Sequence, residues 1–514
     1  MITWFVIILA LFIFYLYNVR NFDYWKKRGV AFVKPMVLFG STQEPFFMKK
    51  SMTQLLTQWY QEYPYEKVVG YFYTTTPGLV IRDPELVKRV LVTDFASFYE
   101  RGLLPGDSKS YEPLLSNLFF VEGDLWRVLR QRMTPAFTSG KLRAMFPLIV
   151  ERAEKLQIRA LSAARDGKVI DARDMMARYT TDFIGACGFG LDADSLNEED
   201  SDFRRLGNEI FKFRWIDAVK SLGKEFFPEL FKNVKFLGRM ENQVLSLVYD
   251  IQKQRNFKPS KRNDFIDLLM EFQQKGATEV ESLEKVKPDG TPERTTMELT
   301  DTLLAAQVFV FFAAGFETSS SSTSYTLHQL AHNPDVLKKV QKNIDEVLSK
   351  HNNKLSYEAV KDMTYLEWTF KEGMRLFPSL GYLNRKCVRK YTFPELNLTI
   401  DKDVMISIPL QGLHTDPQYF DNPLEFRPER FDPQNSKSLN KFVYLPFGEG
   451  PRACIGERLG LMQSIAGMAA ILSKFDVEPA PGTSIQVKVE GKLDIVQSIE
   501  GGIPLILRER KKIY

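Results

Sequence analysis

The chain has 514 residues, 44% of them hydrophobic and 26% charged, with a formal net charge of +5. That length allows one large domain or roughly two to four ordinary ones, in either case with a sizeable core. The small net charge and the lack of a long Lys/Arg tract argue against a nucleic-acid partner.

The first 40 residues carry a separate signal. ITWFVIILALFIFYLY, residues 2–17, has no charge and as a helix would span roughly 24 Å, slightly short of a thin bilayer core. Trp4, Tyr15 and Tyr17 lie near its ends, as interfacial aromatics do. A cleaved signal peptide wants a basic region before the apolar run and a small-x-small site after it. Neither is present, so an uncleaved anchor is expected. Arg20, Lys26, Lys27 and Arg28 follow the span and place the remainder on the cytosolic side. Three cysteines, Cys187, Cys387 and Cys454, are too few and too scattered for a disulfide framework and suit a reducing compartment.

Further along, KVVGYFYTTTPGLVIR (67–82) predicts a hairpin turning around Thr76-Pro77-Gly78. From about 84 to 380 the apolar spacing is mostly helical. The clearest helix is expected over Glu298–Gln329, preceded by a polar stretch, 276–296, that reads as a mobile loop. Strand-like spacing returns over 385–410, a Pro-rich loop covers 417–433, and strands are expected around Gly501-Gly502. The fold class predicted is mainly α with a minor β part.

FGEGPRACIGERLG, residues 447–460, sets one cysteine behind a glycine-rich turn at the start of a predicted helix. GEGPRA matches G-x-G-x-x-A formally, but Pro451 removes an N–H from any phosphate cradle. No acidic residue ends a second strand about twenty residues on, and too little chain remains for a doubly wound sheet. The helix dipole favours a thiolate at Cys454. An inert buried cysteine is the plainest alternative. A nucleophile would want a histidine base, and His328, His332, His351 and His414 suggest none. Structural zinc would want more Cys/His ligands. An axial ligand to haem iron needs one thiolate only. Gly448, Gly450 and Gly456 would admit a flat macrocycle, and Arg452 would suit a propionate.

Phe447-Gly448-x-Gly450-x-Arg452-x-Cys454-x-Gly456 resembles the ligand loop of the cytochrome P-450 monooxygenases. Glu372-Gly373-Met374-Arg375 resembles the family's ExxR helix, and PERF (428–431) its companion. The resemblance implies a buried network of Glu372, Arg375 and Arg430 that orders the ligand loop. Ala314-Gly315-Phe316-Glu317-Thr318-Ser319 resembles the oxygen-binding stretch of the long central helix. There Ala313, Ala314 and Gly315 form a small-residue gap, and Thr318 can return its hydroxyl to an i−4 carbonyl. Trp126 and Arg130 resemble the WxxxR pair, and Arg385 the arginine beyond the ExxR helix; both imply propionate contact. YWKKRGV (24–30), MTYLEW (363–368) and LHTDPQYFDNPLEFRPERF (413–431) are similar to insect microsomal members. They are closest to the sixth family, whose moth and butterfly members oxidise plant toxins and insecticides. The usual proline-rich hinge is reduced here to Pro35.

The resemblance implies an anchor (1–19), a basic connector (20–40) and a haem-thiolate catalytic domain (41–514). Its cofactor is haem b, held by Phe447, Cys454, Gly456, Ala314, Gly315 and the residues named for the propionates. Glu317 and Thr318 are expected to relay protons. NADPH would act only through a partner flavoprotein, NADPH-cytochrome reductase, with cytochrome b5 as an optional second donor. The expected location is the endoplasmic reticulum membrane, catalytic domain on the cytosolic face. Arg127, Arg132, Lys141 and Lys441 are expected to make a basic docking face. The substrate pocket is expected at Phe119, Phe120, Val310, Phe311, Ala314, Leu380, Tyr382 and Ile499, and its lining suits a small apolar, aromatic molecule. Two rival readings, a rearrangement enzyme needing no reductase and a non-catalytic haem binder, are disfavoured by the intact Glu317-Thr318 pair.

Overall fold

A computed structural model of the chain describes residues 2–104, 112–191, 193–198, 201–212, 214–262, 264–437, 439–491 and 495–511. Helix α1, Ile2–Val19, projects from the body with its apolar side chains exposed. Its last turn is tied down: Phe14 meets Phe226 edge-on at 5.8 Å, and Asn21 donates to the Thr75 carbonyl at 3.0 Å. The connector that follows is part of the fold. Trp25 is fully buried and donates to Tyr71 O at 3.0 Å. Val33 N and Gly70 N each bond the opposing backbone, so the connector runs along the first strand.

The elements that build the site are α2 (Met52–Glu62), β1 (Val68–Tyr73), β2 (Thr76–Ile81), α3 (Gly123–Met133), α4 (Ser139–Arg165), β3 (Val169–Asp171), α5 (Ala172–Ile184), α6 (Trp215–Phe226) and α7 (Phe265–Gln274). They continue with β4 (Thr278–Val286), β5 (Pro292–Met297), α8 (Asp301–His332), α9 (Thr364–Leu376), β6 (Leu383–Lys386), β7 (Tyr391–Phe393), β8 (Leu398–Ile400), β9 (Met405–Ile408), α10 (Glu457–Leu472), β10 (Phe475–Pro479) and β11 (Pro504–Glu509). Helices dominate, as the spacing predicts. One sheet has the order β1-β2-β9-β6, with β2 and β9 parallel and the other pairs antiparallel; another is β10-β11-β3, and β7-β8 and β4-β5 are two-stranded.

The core is organised around α8. Thr300 caps its start by accepting from Leu303 N at 3.2 Å, and Asn333-Pro334 ends it. Its side chains are buried almost all round because α5, α9 and α10 pack on it. Two expectations need correction. The β1–β2 turn falls at Thr74-Thr75, with Thr74 at φ 51°, and Pro77 and Gly78 lie inside β2. Gly78 is required there by the Tyr71 ring across the ladder, which a Cβ would overlap. The stretch 276–296 is no open loop. It forms the β4–β5 hairpin, whose alternation of buried Thr278, Val280 and Ser282 with exposed Glu279 and Glu281 lets one face dock on the protein.

Candidate active site

Two left-handed glycines shape the loop before α10. Gly448 and Gly450 have φ of 71° and 78°, and a Cβ on Gly450 would overlap the Leu91 carbonyl. The turn closes when Cys454 N donates to Phe447 O at 2.8 Å and Ala453 N to Gly450 O at 3.0 Å. Cys454 is thereby presented with its side chain accessible, although Arg452 and Leu459 on either side are buried. Gly456, not Cys454, occupies the position before the helix. Crowding by protein atoms pushes the Cys454 thiol up, against the opposing pull of the Gly456 N–H and of the Arg130 and Arg101 guanidiniums. The side chain is accessible, and a cation bound at it would favour its ionised form.

Above this loop lies a concentration of buried positive charge. Arg130 on α3 donates to Ala453 O at 2.7 Å. Arg452 donates to Glu122 at 2.6 Å and to Val121 O at 3.0 Å, and its guanidinium lies 4.4 Å over the Trp126 ring. Arg101 donates through its Nη2 to Arg452 O, and its backbone N–H binds Glu122. Arg385 on β6 is buried and donates one N–H to Asn384 O. Burial, and mutual repulsion after it, lowers Arg385 well below the usual arginine range; burial also brings Arg452 to about 9 and Arg101 to about 10. Glu122 is the carboxylate hydrogen-bonded to this group. Nε of Arg101, Arg385 and Arg452, and Nη1 of Arg452, are buried without a protein acceptor. Buried donors of this kind demand acceptors. Two carboxylates on one flat ligand would supply them, so the residues present fit haem and its propionates. Arg101 and Glu122 are absent from the sequence expectations: each stands in a loop with no motif, and only the fold brings them to Arg452.

Behind the loop, Glu372 and Arg375 are fully buried and paired through two bonds of 2.7 and 2.8 Å. Arg430 donates to Glu372 at 3.2 Å, and Arg427 N does so at 2.9 Å. Arg375 also donates to His414 O at 2.8 Å, and the His414 ring accepts from Leu445 N at 2.9 Å. Leu445 is two residues before Phe447, so the network reaches the ligand loop through His414, a residue without a role in the sequence reading.

On α8, Thr318 donates to Ala314 O at 2.7 Å. Ala314 is exposed in an otherwise buried stretch, while Gly315 is filled from outside: a Cβ there would lie 2.5 Å from Ile184 Cδ1 of α5. Gly315 thus serves as a packing notch for α5. Gln463 of α10 donates to Gly315 O at 3.1 Å and to Ser319 at 2.6 Å. Glu317 is buried and ion-paired with Arg173 of α5, which also donates to Ser498 at 3.1 Å. Glu317 and Thr318 thus take different partners, and the expected acid–alcohol pair is not joined directly.

The expected pocket residues divide. Phe119 lies under Arg101, 4.3 Å from its guanidinium, and meets Phe120 at 5.0 Å. Val310 and Leu380 are half-buried. Phe311, although one turn from Ala314 on the same side of α8, stacks on Phe265 of α7 at 4.1 Å and packs against the outer core. Tyr382 packs on the cluster of α2 and β1, while Leu383 approaches Gly448. Ile499 is a core residue that borders a surface cleft of about 290 Å³ with His328 and Glu500.

The family model for cytochrome P450 matches residues 32–505. Cytochrome P450 6B7 of Helicoverpa armigera is 36% identical over 498 residues, 97% of this chain and 96% of the relative. Cytochrome P450 6a2 of Drosophila melanogaster is 36% identical with 96% of each covered, and cytochrome P450 6d1 of Musca domestica 35% with 92% and 93% covered.

Proposed function

Because the chain belongs to the cytochrome P450 family, we propose that it is a membrane-anchored, reductase-dependent monooxygenase acting on small apolar, aromatic xenobiotics such as plant toxins and insecticides. One oxygen atom of O2 enters a substrate C–H bond and the other leaves as water, with two electrons from NADPH and two protons. The observation that carries this reading is the accessible Cys454 beneath a cluster of buried, acceptor-poor arginines. Haem bound there supplies an iron whose thiolate ligand favours O–O cleavage.

This chain's residues do the rest. Cys454 would hold the haem iron. Arg101, Arg130, Arg385 and Arg452 would hold its propionates, and Trp126 stacks beneath Arg452. The network of Glu372, Arg375 and Arg430 fixes the loop through His414 and Leu445. Thr318 keeps its O–H hydrogen-bonded to Ala314 O and, by rotating about χ1, can offer it as a hydrogen-bond donor in a proton relay. Glu317 delivers protons once Arg173 yields its carboxylate. Phe119, Phe120, Val310 and Leu380 supply the apolar wall that suits an aromatic substrate. Electrons come from NADPH-cytochrome reductase, with cytochrome b5 as an optional second donor. Helix α1 inserts in the endoplasmic reticulum membrane, with the body on the cytosolic side.

The test is the carbon monoxide difference spectrum of the reduced protein beside a Cys454→His variant. A strongly red-shifted Soret band in the parent alone is expected. An imidazole-like band in both, in folded protein, would remove the thiolate ligand and the monooxygenase reading with it.

A further inference from the structure

An electron donor must come close to Cys454. Helix α3 borders that cysteine: its Arg130 donates to the carbonyl of Ala453, the residue before it. The outer side of α3 is already occupied. The β4–β5 hairpin lies along it, held at three points. Asp124 accepts from Ser282 Oγ at 2.7 Å and from Leu283 N at 2.6 Å; Arg127 pairs with Glu281 at 3.2 Å; and Glu284 lies over Gly123, where a Cβ would overlap it. Val280 on the inner face is buried in the main core, so the hairpin is seated and not merely adjacent. β4 carries three glutamates, Glu279, Glu281 and Glu284, against one lysine, Lys285. The expected basic docking face is further reduced because Lys441 stands 3.9 Å from Glu449.

We propose that the β4–β5 hairpin is a built-in stand-in for the acidic flavoprotein donor: Glu281 occupies Arg127, and the donor gains that arginine only when the hairpin gives it up. This rests on the reductase-dependent reading above. The Asp124 bonds act as a pivot that keeps the hairpin registered on α3, and the Glu281 pair is the releasable contact. That pair is half-exposed, Arg127 at 34% and Glu281 at 59%, so it is weak enough for an intermolecular carboxylate to replace. Arg127 then belongs to the donor interface, with access set by the charge of the hairpin.

The test uses the full chain in lipid vesicles with added reductase, comparing the parent with Glu281→Gln, Arg127→Gln and the double variant. Reductase binding and the half-saturating reductase concentration for NADPH-dependent product formation are both measured. Glu281→Gln is expected to tighten binding by about two- to fivefold at low salt, as loss of a weak competing ion pair should. Arg127→Gln is expected to weaken it, and the double variant to match Arg127→Gln. The differences should shrink at high salt. Hydrogen exchange at residues 278–286 is expected to speed up when reductase binds. Unchanged or weaker binding by Glu281→Gln, or added protection of those amides, would overturn the proposal. Product formation in the parent with binding indifferent to Glu281→Gln defeats the hairpin alone. Binding that responds as expected without any product in the parent defeats the monooxygenase reading alone. No binding in any variant defeats both.

Discussion

His414 shows how much one side chain can carry. Its carbonyl accepts from Arg375, and its ring accepts from Leu445 N just before the ligand loop. Burial, and next the neighbouring Arg375 charge, lowers its pKa from 6.5 to about 3, so the ring is neutral in the fold. The unfolded chain therefore binds a proton that the folded one refuses between those values. The stability this neutral ring provides is complete above pH 6.5 and drains as pH falls toward about 3, by up to about 1.4 kcal/mol per pH unit. Denaturant unfolding at pH 7.5 and pH 5 should show a loss in the parent that His414→Gln, which keeps an acceptor for Leu445 N, reduces by about 1 kcal/mol or more. Equal losses would mean that His414 does not govern this window. Glu372 and Arg375 were legible in the sequence because i,i+3 spacing puts them on one helix face, whereas Arg430, 58 residues from Glu372, joined them only through the family resemblance. His414, Arg101, Glu122 and Arg173 lie in no such pattern, and each gains its partner across tens or hundreds of residues.

The packing of α8 against α5 sets where the small-residue gap goes. The AAG stretch shows a gap in the sequence but not which helix fills it. Ile184 fills it at Gly315, leaving Ala314 open one residue earlier. A Gly315→Ala change should cost about 1–3 kcal/mol by overpacking. Adding Ile184→Val removes the clashing Cδ1 and should recover part of it, with a coupling above about 0.5 kcal/mol in a double-mutant cycle. Strict additivity in denaturant melts would show that the two do not meet. The β4–β5 hairpin was hidden for a related reason. Its few apolar residues, Val280, Leu283, Val286 and Met297, do not share one alternating face, and a period-2 pattern without clear apolar contrast reads as loop until the surface it docks on is known.

At the scale of the whole molecule, α1 meets the body at its C-terminal end, through the Phe14–Phe226 contact, the buried Asn18 and the turn beyond, while its N-terminal turns are exposed. Removing residues 2–19 should leave the carbon monoxide band of the reduced holoprotein intact. It should not make the protein fully soluble, because α6 and the segment after it still expose Trp215, Phe227 and Leu230. Loss of the band on truncation would show that the helix is needed for the fold; complete release from membranes would show that those residues do not bind lipid. The sequence by itself determined the largely helical fold class, the apolar terminal helix, the cysteine loop and the ion-pair helix. Each of these is written in local spacing and composition, which the backbone reads directly. The tertiary structure alone decided that Arg101 and Glu122 join Arg452, that Glu317 is ion-paired with Arg173, that Phe311 packs against the core, and that an acidic hairpin lies on α3. Those outcomes depend on burial and on partners distant in the chain, and neither exists until the helices have packed.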